Sequence, residues 1–158
     1  VGDLALVWSP ERGNADLVIA TSLDDLAADD GLGTSLFLSL FTDRRAEDDD
    51  RLPSDDGDRR GWWADEFAEV PGDRFGSRLW LLDRSVRTPD VLPLAEQYVR
   101  EAVAWLIADR VTERIDVSVS FQGAWMLHRV EVYRPTGDPA RYLFAQPWDA
   151  MAAGTDAG

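Results

Sequence analysis

The 158-residue chain has no cysteine, no lysine and a single histidine, His128. Without thiols there can be no disulfide, thiolate metal site or cysteine nucleophile. One imidazole leaves a histidine-based hydrolase a single candidate base, and no nucleophile or orienting partner is identifiable beside it. His128 therefore reads as a structural or surface histidine. No run of 18 apolar residues occurs, so no stretch reads as a bilayer-spanning helix. The opening Val1-Gly2-Asp3-Leu4 lacks the basic region of a secretory signal. A phosphate-binding glycine loop is missing too: Gly31-Leu32-Gly33 has no lysine after it and lacks the dinucleotide spacing.

Negative charge is what the chain has in excess. Thirty Asp and Glu face 16 Arg, for a formal charge of -14. Such a surface repels nucleic-acid phosphates and anionic headgroups and favours a basic partner. Exclusive use of Arg reads mainly as genomic bias, with bidentate guanidinium–carboxylate pairing as the other reading. The 45% hydrophobic content suffices for one compact core. Seven Trp and six Phe are many for this length, and such rings serve both cores and interface centres.

Periodicity points to an α+β single domain. Residues 3–8 and 16–20 read as an N-terminal hairpin about the turn Ser9 to Asn14. Asp29-Asp30-Gly31 is a loop. Leu32, Leu36, Phe37, Leu40 and Phe41 share a helical face, with Ser39 elsewhere, although strand alternation over Leu36, Leu38 and Leu40 fits nearly as well. Ser77 is placed to cap a short helix over 78–83, with Leu79, Trp80 and Leu82 as its apolar side. A longer helix runs from about 89 or 90 to 109, with a stripe of Leu94, Tyr98, Val99, Ala102, Val103, Leu106 and Ile107. Strict alternation then predicts a strand over 115–122, a second over 126–134 and a shorter third over 142–145. The expected fold is thus helices packed on a C-terminal antiparallel sheet. Residues 1–150 form the domain, and 151–158 are a flexible tail.

Residues 43–76 stand apart. They hold the breakers Pro53, Gly57, Gly61, Pro71, Gly72 and Gly76, and eight acids with five Arg lie from Asp43 to Arg60. A structureless span this long is unusual in a compact domain. Disordered segments are poor in rings, whereas this one carries Trp62, Trp63, Phe67 and Phe75. An ordered excursion pinned by its rings is the expectation. Its centre is Arg59-Arg60-Gly61-Trp62-Trp63-Ala64-Asp65, either a loop anchor or the middle of a protein contact.

Other chemistries fare worse. No calcium-loop register fits: with Gly61 sixth, Arg60 falls on the fifth position and Phe67 on the twelfth. Asp48-Asp49-Asp50 and Asp55-Asp56 read as a solvated charge run paired locally with Arg, with a loosely held cation as the alternative. Asp65 and Glu66 are adjacent carboxylates near two indoles, a weak signal for glycoside hydrolysis among 30 acids.

Four stretches carry a resemblance: Gly31 to Ala46 (GLGTSLFLSLFTDRRA), Asp58 to Asp65 (DRRGWWAD), Gly76 to Arg84 (GSRLWLLDR) and Tyr98 to Val117. With them the chain resembles, over nearly its whole length, the Mu-like phage tail baseplate protein family, related to the wedge protein of contractile tails. Glu113-Arg114-Ile115 looks like the remnant of a Glu-Pro-Arg-Ile-like motif of that broader family, without the Pro. The resemblance implies a structural part and no enzyme. Its implied partners are other baseplate wedge proteins, with sheath or tube proteins as further contacts. It implies no cofactor, no metal, no nucleic acid and no membrane insertion. The implied location is the tail baseplate of a particle assembled in the host cytoplasm. A lysozyme-like cell-wall hydrolase acting through Asp65 or Glu66 is the alternative. The anchor or interface candidates are Arg59, Arg60, Trp62, Trp63, Trp80 and Arg114, the last as an ion-pair partner at the helix–strand junction. An edge strand at 3–8 or 141–146 could also accept a strand from another protein.

Overall fold

The computed structural model describes residues 5–9, 14–18, 31–70, 72–85 and 88–148, the first two segments as backbone only. The expected turn at 10–13, the acidic pair Asp29-Asp30 and the tail 151–158 lie outside the described residues. Strands β1 (Ala5–Ser9) and β2 (Asn14–Val18) pair antiparallel, with Leu6 opposite Leu17.

Helix α1 (Leu32–Phe41) resolves the ambiguity of its segment in favour of the 3.6-residue period. It starts at Gly31, whose φ of 74° is the left-handed conformation glycine adopts without a Cβ clash. Leu32, Leu36 and Leu40, four apart, are buried. Phe37 and Phe41 pack beside them against Phe144, with ring centroids 6.3 and 6.2 Å away. Ser39, expected outside the apolar face, is fully buried. Its hydroxyl donates to the Ser35 carbonyl at 2.8 Å and accepts the Trp105 indole N–H at 3.1 Å, so burial leaves it satisfied.

The predicted helix over 89–109 is two helices. α2 (Val91–Val103) buries Val91, Ala95, Tyr98, Val99, Ala102 and Val103. Ala104 interrupts it, and the one-turn α3 (Trp105–Ala108) follows, with Leu106 buried. The break places Trp105 against Ser39. Leu94 and Ile107, counted in the apolar stripe, are exposed. The predicted helix at 78–83 is a 3-10 turn over Leu79–Leu82 that buries all four residues rather than one side. Ser77 accepts the Leu79 N–H at 3.3 Å, a cap-like contact one residue before the turn's own cap position.

Strands β3 (Arg114–Gln122), β4 (Trp125–Tyr133) and β5 (Ala140–Pro147) form an antiparallel meander in the order β3-β4-β5. β5 extends past the predicted 142–145 because Ala140 pairs with Val132 and Pro147 with Trp125. The register sets Val117 opposite Val130, Val119 opposite His128 and His128 opposite Phe144, so these side chains share one face. That face meets α1 and α2, and their buried side chains form one core cluster. The architecture is a compact α+β domain of helices on an antiparallel sheet. Among the described residues no helix is long and apolar enough to cross a membrane.

α2 also covers the open edge of β3. Arg100 donates to the Val117 carbonyl at 3.3 Å, and the Val119 N–H donates to Glu96 at 3.3 Å. Arg100 and Glu96 pair one helical turn apart at 3.0 Å. Two ladder groups that an added strand would need are thereby occupied.

His128 sits at the centre of the sheet, fully buried. The edge of Phe41 faces it with centroids 6.1 Å apart. Its Nε2 lies 3.3 Å from Gln146 Oε1, and its Nδ1 is buried with no partner. Burial holds its pKa down to about 4, against the ordinary 6.5, so the ring stays neutral.

Candidate interaction face

The excursion from Asp43 leaves the core and returns to it at one crossing. The Arg44 N–H donates to the Ser77 carbonyl and the Ser77 N–H to the Thr42 carbonyl, both at 2.9 Å. The Ser77 hydroxyl donates to the Leu40 carbonyl. The chains approach this closely because residue 76 is Gly. A Cβ there would lie 2.9 Å from the Thr42 carbonyl carbon and closer still to its oxygen. Gly76 also has φ 98°, which L side chains rarely adopt.

Arginines hold the first half of the excursion. The Ala46 N–H donates to the Arg59 carbonyl at 2.9 Å. The Arg59 guanidinium donates to the carbonyls of Glu47 and Asp48. Arg60 pairs with Asp43 at 2.8 Å and lies 4.4 Å over the Trp80 ring. Trp80 is buried and donates its indole N–H to the Arg44 carbonyl at 2.8 Å. Arg60 has φ 50° and Gly61 φ 119°, so two successive left-handed residues turn the chain sharply before the tryptophans. Asp58 accepts the Arg60 N–H at 2.8 Å and steadies that turn.

The tightest tie was not anticipated. Arg78 donates to both Asp50 oxygens at 2.9 Å and to Glu101 at 2.8–3.1 Å, and stacks 4.8 Å from the Tyr98 ring. Burial alone would lower its pKa, but the bonds to Glu101 and Asp50 outweigh that and raise it above its ordinary value. Asp50 is thus not part of a solvated run with a neighbouring Arg. Its partner is 28 residues away and both side chains are only 12% exposed. Sequence spacing gave no sign of so distant a pair. Among the described residues no group of three or more His, Asp or Glu is arranged to hold a metal ion.

The second half of the excursion shows its rings to solvent. A 3-10 turn over Trp63–Phe67 carries them. Trp62 packs on Phe75 at 5.3 Å and on Trp63 at 6.0 Å, and Trp63 meets Phe67 at 6.3 Å. Yet Trp62 is 42% exposed, Trp63 74% and Phe67 76%. Val70 and Leu38 are exposed beside them. Leu38 had a readable signal, an apolar residue off the buried face of its helix. Asp65 latches this turn by accepting the Phe75 N–H at 3.0 Å, while its second oxygen is buried without a partner. Glu66 points outward. The two carboxylates therefore do not face each other across a groove as acid and base.

Between this turn, α1 and the α2–α3 junction lies a groove of about 820 Å³. Leu38, Trp62, Val70 and Trp105 give it apolar walls, and Glu69, Asp73 and Asp109 stand at its margin. Arg114 lies away from it on the outer sheet face. It pairs with Asp116 at 2.6 Å and stacks 4.3 Å from the Tyr133 ring. The hydrogen bond to Asp116 raises the Arg114 pKa, and the same bond lowers that of Asp116.

Large exposed apolar patches on a folded domain mark contact surfaces. A family profile described as phage protein GP46 matches residues 32–139, from α1 to the β4–β5 turn. Over 150 residues the chain is 41% identical to the baseplate protein gp46 of Escherichia phage Mu, covering 94% of this chain and 99% of that protein. It is 34% identical over 149 residues to the Mu-like prophage FluMu protein gp46 of Haemophilus influenzae, covering 94% and 98%. The chain belongs to the phage protein GP46 family.

Proposed function

We propose that this chain is a structural, non-catalytic part of a Mu-like phage tail baseplate, where it makes contact with other baseplate components. The observation that carries the reading is likeness to the Mu baseplate protein across nearly the full length of both chains. The finer reading is a wedge position, with neighbouring wedge proteins as first partners and sheath or tube proteins as further ones. Assembly takes place in the host cytoplasm, and the mature location is the tail. Residues 1–150 act as one body in this reading, with 151–158 as a tail.

The anchor candidates divide by geometry. Arg59, Arg60 and Trp80 shape the excursion from within, since their partners are on this chain. Trp62 bridges, packed on Phe75 but partly in water. Trp63 faces outward, and with Phe67 it offers rings for a partner's pocket. Covering about 180 Å² of indole at ~25 cal/mol per Å² contributes at most ~4.5 kcal/mol, the size of an interface hot spot. Arg114 serves the outer sheet face. Strand addition is expected at β5 or at the hairpin, because α2 already occupies the β3 edge.

Removing this chain's gene from a particle-producing strain tests the reading. Complete tails should be lost, and the wild-type protein supplied in trans should restore them and be found in the purified baseplate. Normal tails without the protein would overturn it. In a zymogram on bacterial cell wall the purified protein should clear nothing, and a lysis band lost in Glu66→Gln would favour the hydrolase instead.

A further inference from the structure

We propose that the groove between the Trp63–Phe67 turn, α1 and the α2–α3 junction is the seat of an apolar, positively charged segment of a neighbouring baseplate protein. The proposal rests on the baseplate reading and names the chemistry of the partner. The groove holds about 820 Å³, within the size range that takes a few side chains of a docked segment. Leu38, Val70 and Trp62 leave it exposed apolar walls, each of which gains by losing water. Polarity at the margin sets the sign of the occupant. Glu69, Asp73 and Asp109 have no ion-pair partner among the described residues. Two arginines also line the groove: Arg74 is held by Glu47 at 3.1 Å, and Arg44 is outnumbered by the lining carboxylates Asp65, Glu69, Asp73, Glu101 and Asp109. The chain as a whole carries -14. A second copy of this chain, or any acidic segment, would therefore meet like charge around an apolar floor, which opposes docking. An apolar segment flanked by Arg or Lys meets the opposite sign and brings its cations to the three carboxylates.

The test uses the full chain within the assembled particle. Benzoylphenylalanine is introduced at Leu38 or at Val70, both exposed, and at Leu143 on the outer sheet face as a control. Irradiated particles are digested and the linked peptides identified by mass spectrometry. From Leu38 and Val70 the expected product joins this chain to an apolar peptide of another baseplate protein with net positive charge. In parallel, the triple variant Glu69→Arg, Asp73→Arg, Asp109→Arg should enter particles at least tenfold less than wild type, while Asp138→Arg enters normally. Thermal melts of the isolated variants confirm folding, so a loss of entry reports docking.

Links from Leu38 and Val70 to this chain itself, to a second copy, to an acidic segment or to nothing would overturn the proposal. So would normal entry of the charge-reversed variant. If wild-type protein is absent from the particles altogether, the baseplate reading falls and takes this inference with it, which separates the two failures.

Discussion

Replacing Arg78 by Met should be the costliest single change among the polar ties that hold the excursion. Arg78 ties the acidic half of the excursion at Asp50 to helix α2 at Glu101. Met keeps most of the aliphatic stem against Tyr98 but removes every donor. Asp50, 12% exposed, then keeps one charge-stabilising bond, the Glu47 N–H at 2.8 Å, and no cation. Breaking a buried pair from one side costs about 3–5 kcal/mol. Glu101 is 33% exposed and regains water, so the lower end, about 3 kcal/mol, applies. Domains of this kind are stable by roughly 5–15 kcal/mol, so the variant still folds but is visibly weakened. Urea unfolding followed by tryptophan fluorescence measures the loss. With a slope of about 2 kcal/mol per M, the midpoint falls by about 1.5 M. Adding Asp50→Asn removes the stranded charge and should restore at least about 1 kcal/mol. A midpoint shift below about 0.5 M, or no recovery in the double variant, would show that the cluster behaves like a solvated surface pair.

Three further outcomes follow from the same structure. Gly76→Ala adds a Cβ against the Thr42 carbonyl at a φ of 98°, so a loss of at least ~3 kcal/mol is expected in urea unfolding, whereas Gly137→Ala, with open space around it, should lose about 1 kcal/mol. His128 is neutral in the fold and the unfolded chain takes up its proton first, so its contribution is complete above about pH 6.5 and falls by ~3 kcal/mol as the pH drops to about 4. His128→Leu should flatten that part of the stability profile, and wild-type and variant curves running parallel between those pH values would refute it. Trp63→Ala should leave the melting temperature of the isolated protein nearly unchanged yet reduce entry into particles, while Trp80→Ala should cost about 3–5 kcal/mol of stability by emptying a buried site.

Regular elements were readable because their signal is local. Ile115, Val117, Val119 and Phe121 alternate with polar residues, and β3 follows from that period alone. The faces of α1, α2 and α3 came through for the same reason, up to Leu94, Ile107 and Ser39. Ser39 was missed because its burial depends on the Trp105 indole, 66 residues away. The break at Ala104 was missed because an apolar stripe continues across it. The excursion was legible as ordered but not in its means of order. Aromatic content pointed to rings as the pins, whereas Arg59, Arg60 and Arg78 hold its first half through carbonyls and carboxylates. Such contacts leave no periodic trace, since each pairs residues at its own separation. Trp80 was recognised as apolar, but its role as the stacking plate for Arg60 and donor to Arg44 needed the fold.

The division of labour among the tryptophans explains why the excursion uses polar ties at all. A loop seated by burying Trp62 and Trp63 would leave neither indole to offer a neighbour. Here the guanidinium ties and the Gly76 crossing set the loop's path, Trp80 takes the buried position, and Trp63 stays in water beside Phe67. Exposed indole is unfavourable for an isolated protein and aids a part that ends inside an assembly. A pre-set loop also spares binding the entropy of ordering some thirty residues, at roughly 1–2 kcal/mol for each backbone unit fixed. That sum far exceeds what two rings can return on burial. On the proposed reading, directional, solvent-tolerant arginine bonds present the contact face already formed, which apolar seating of the same rings would prevent.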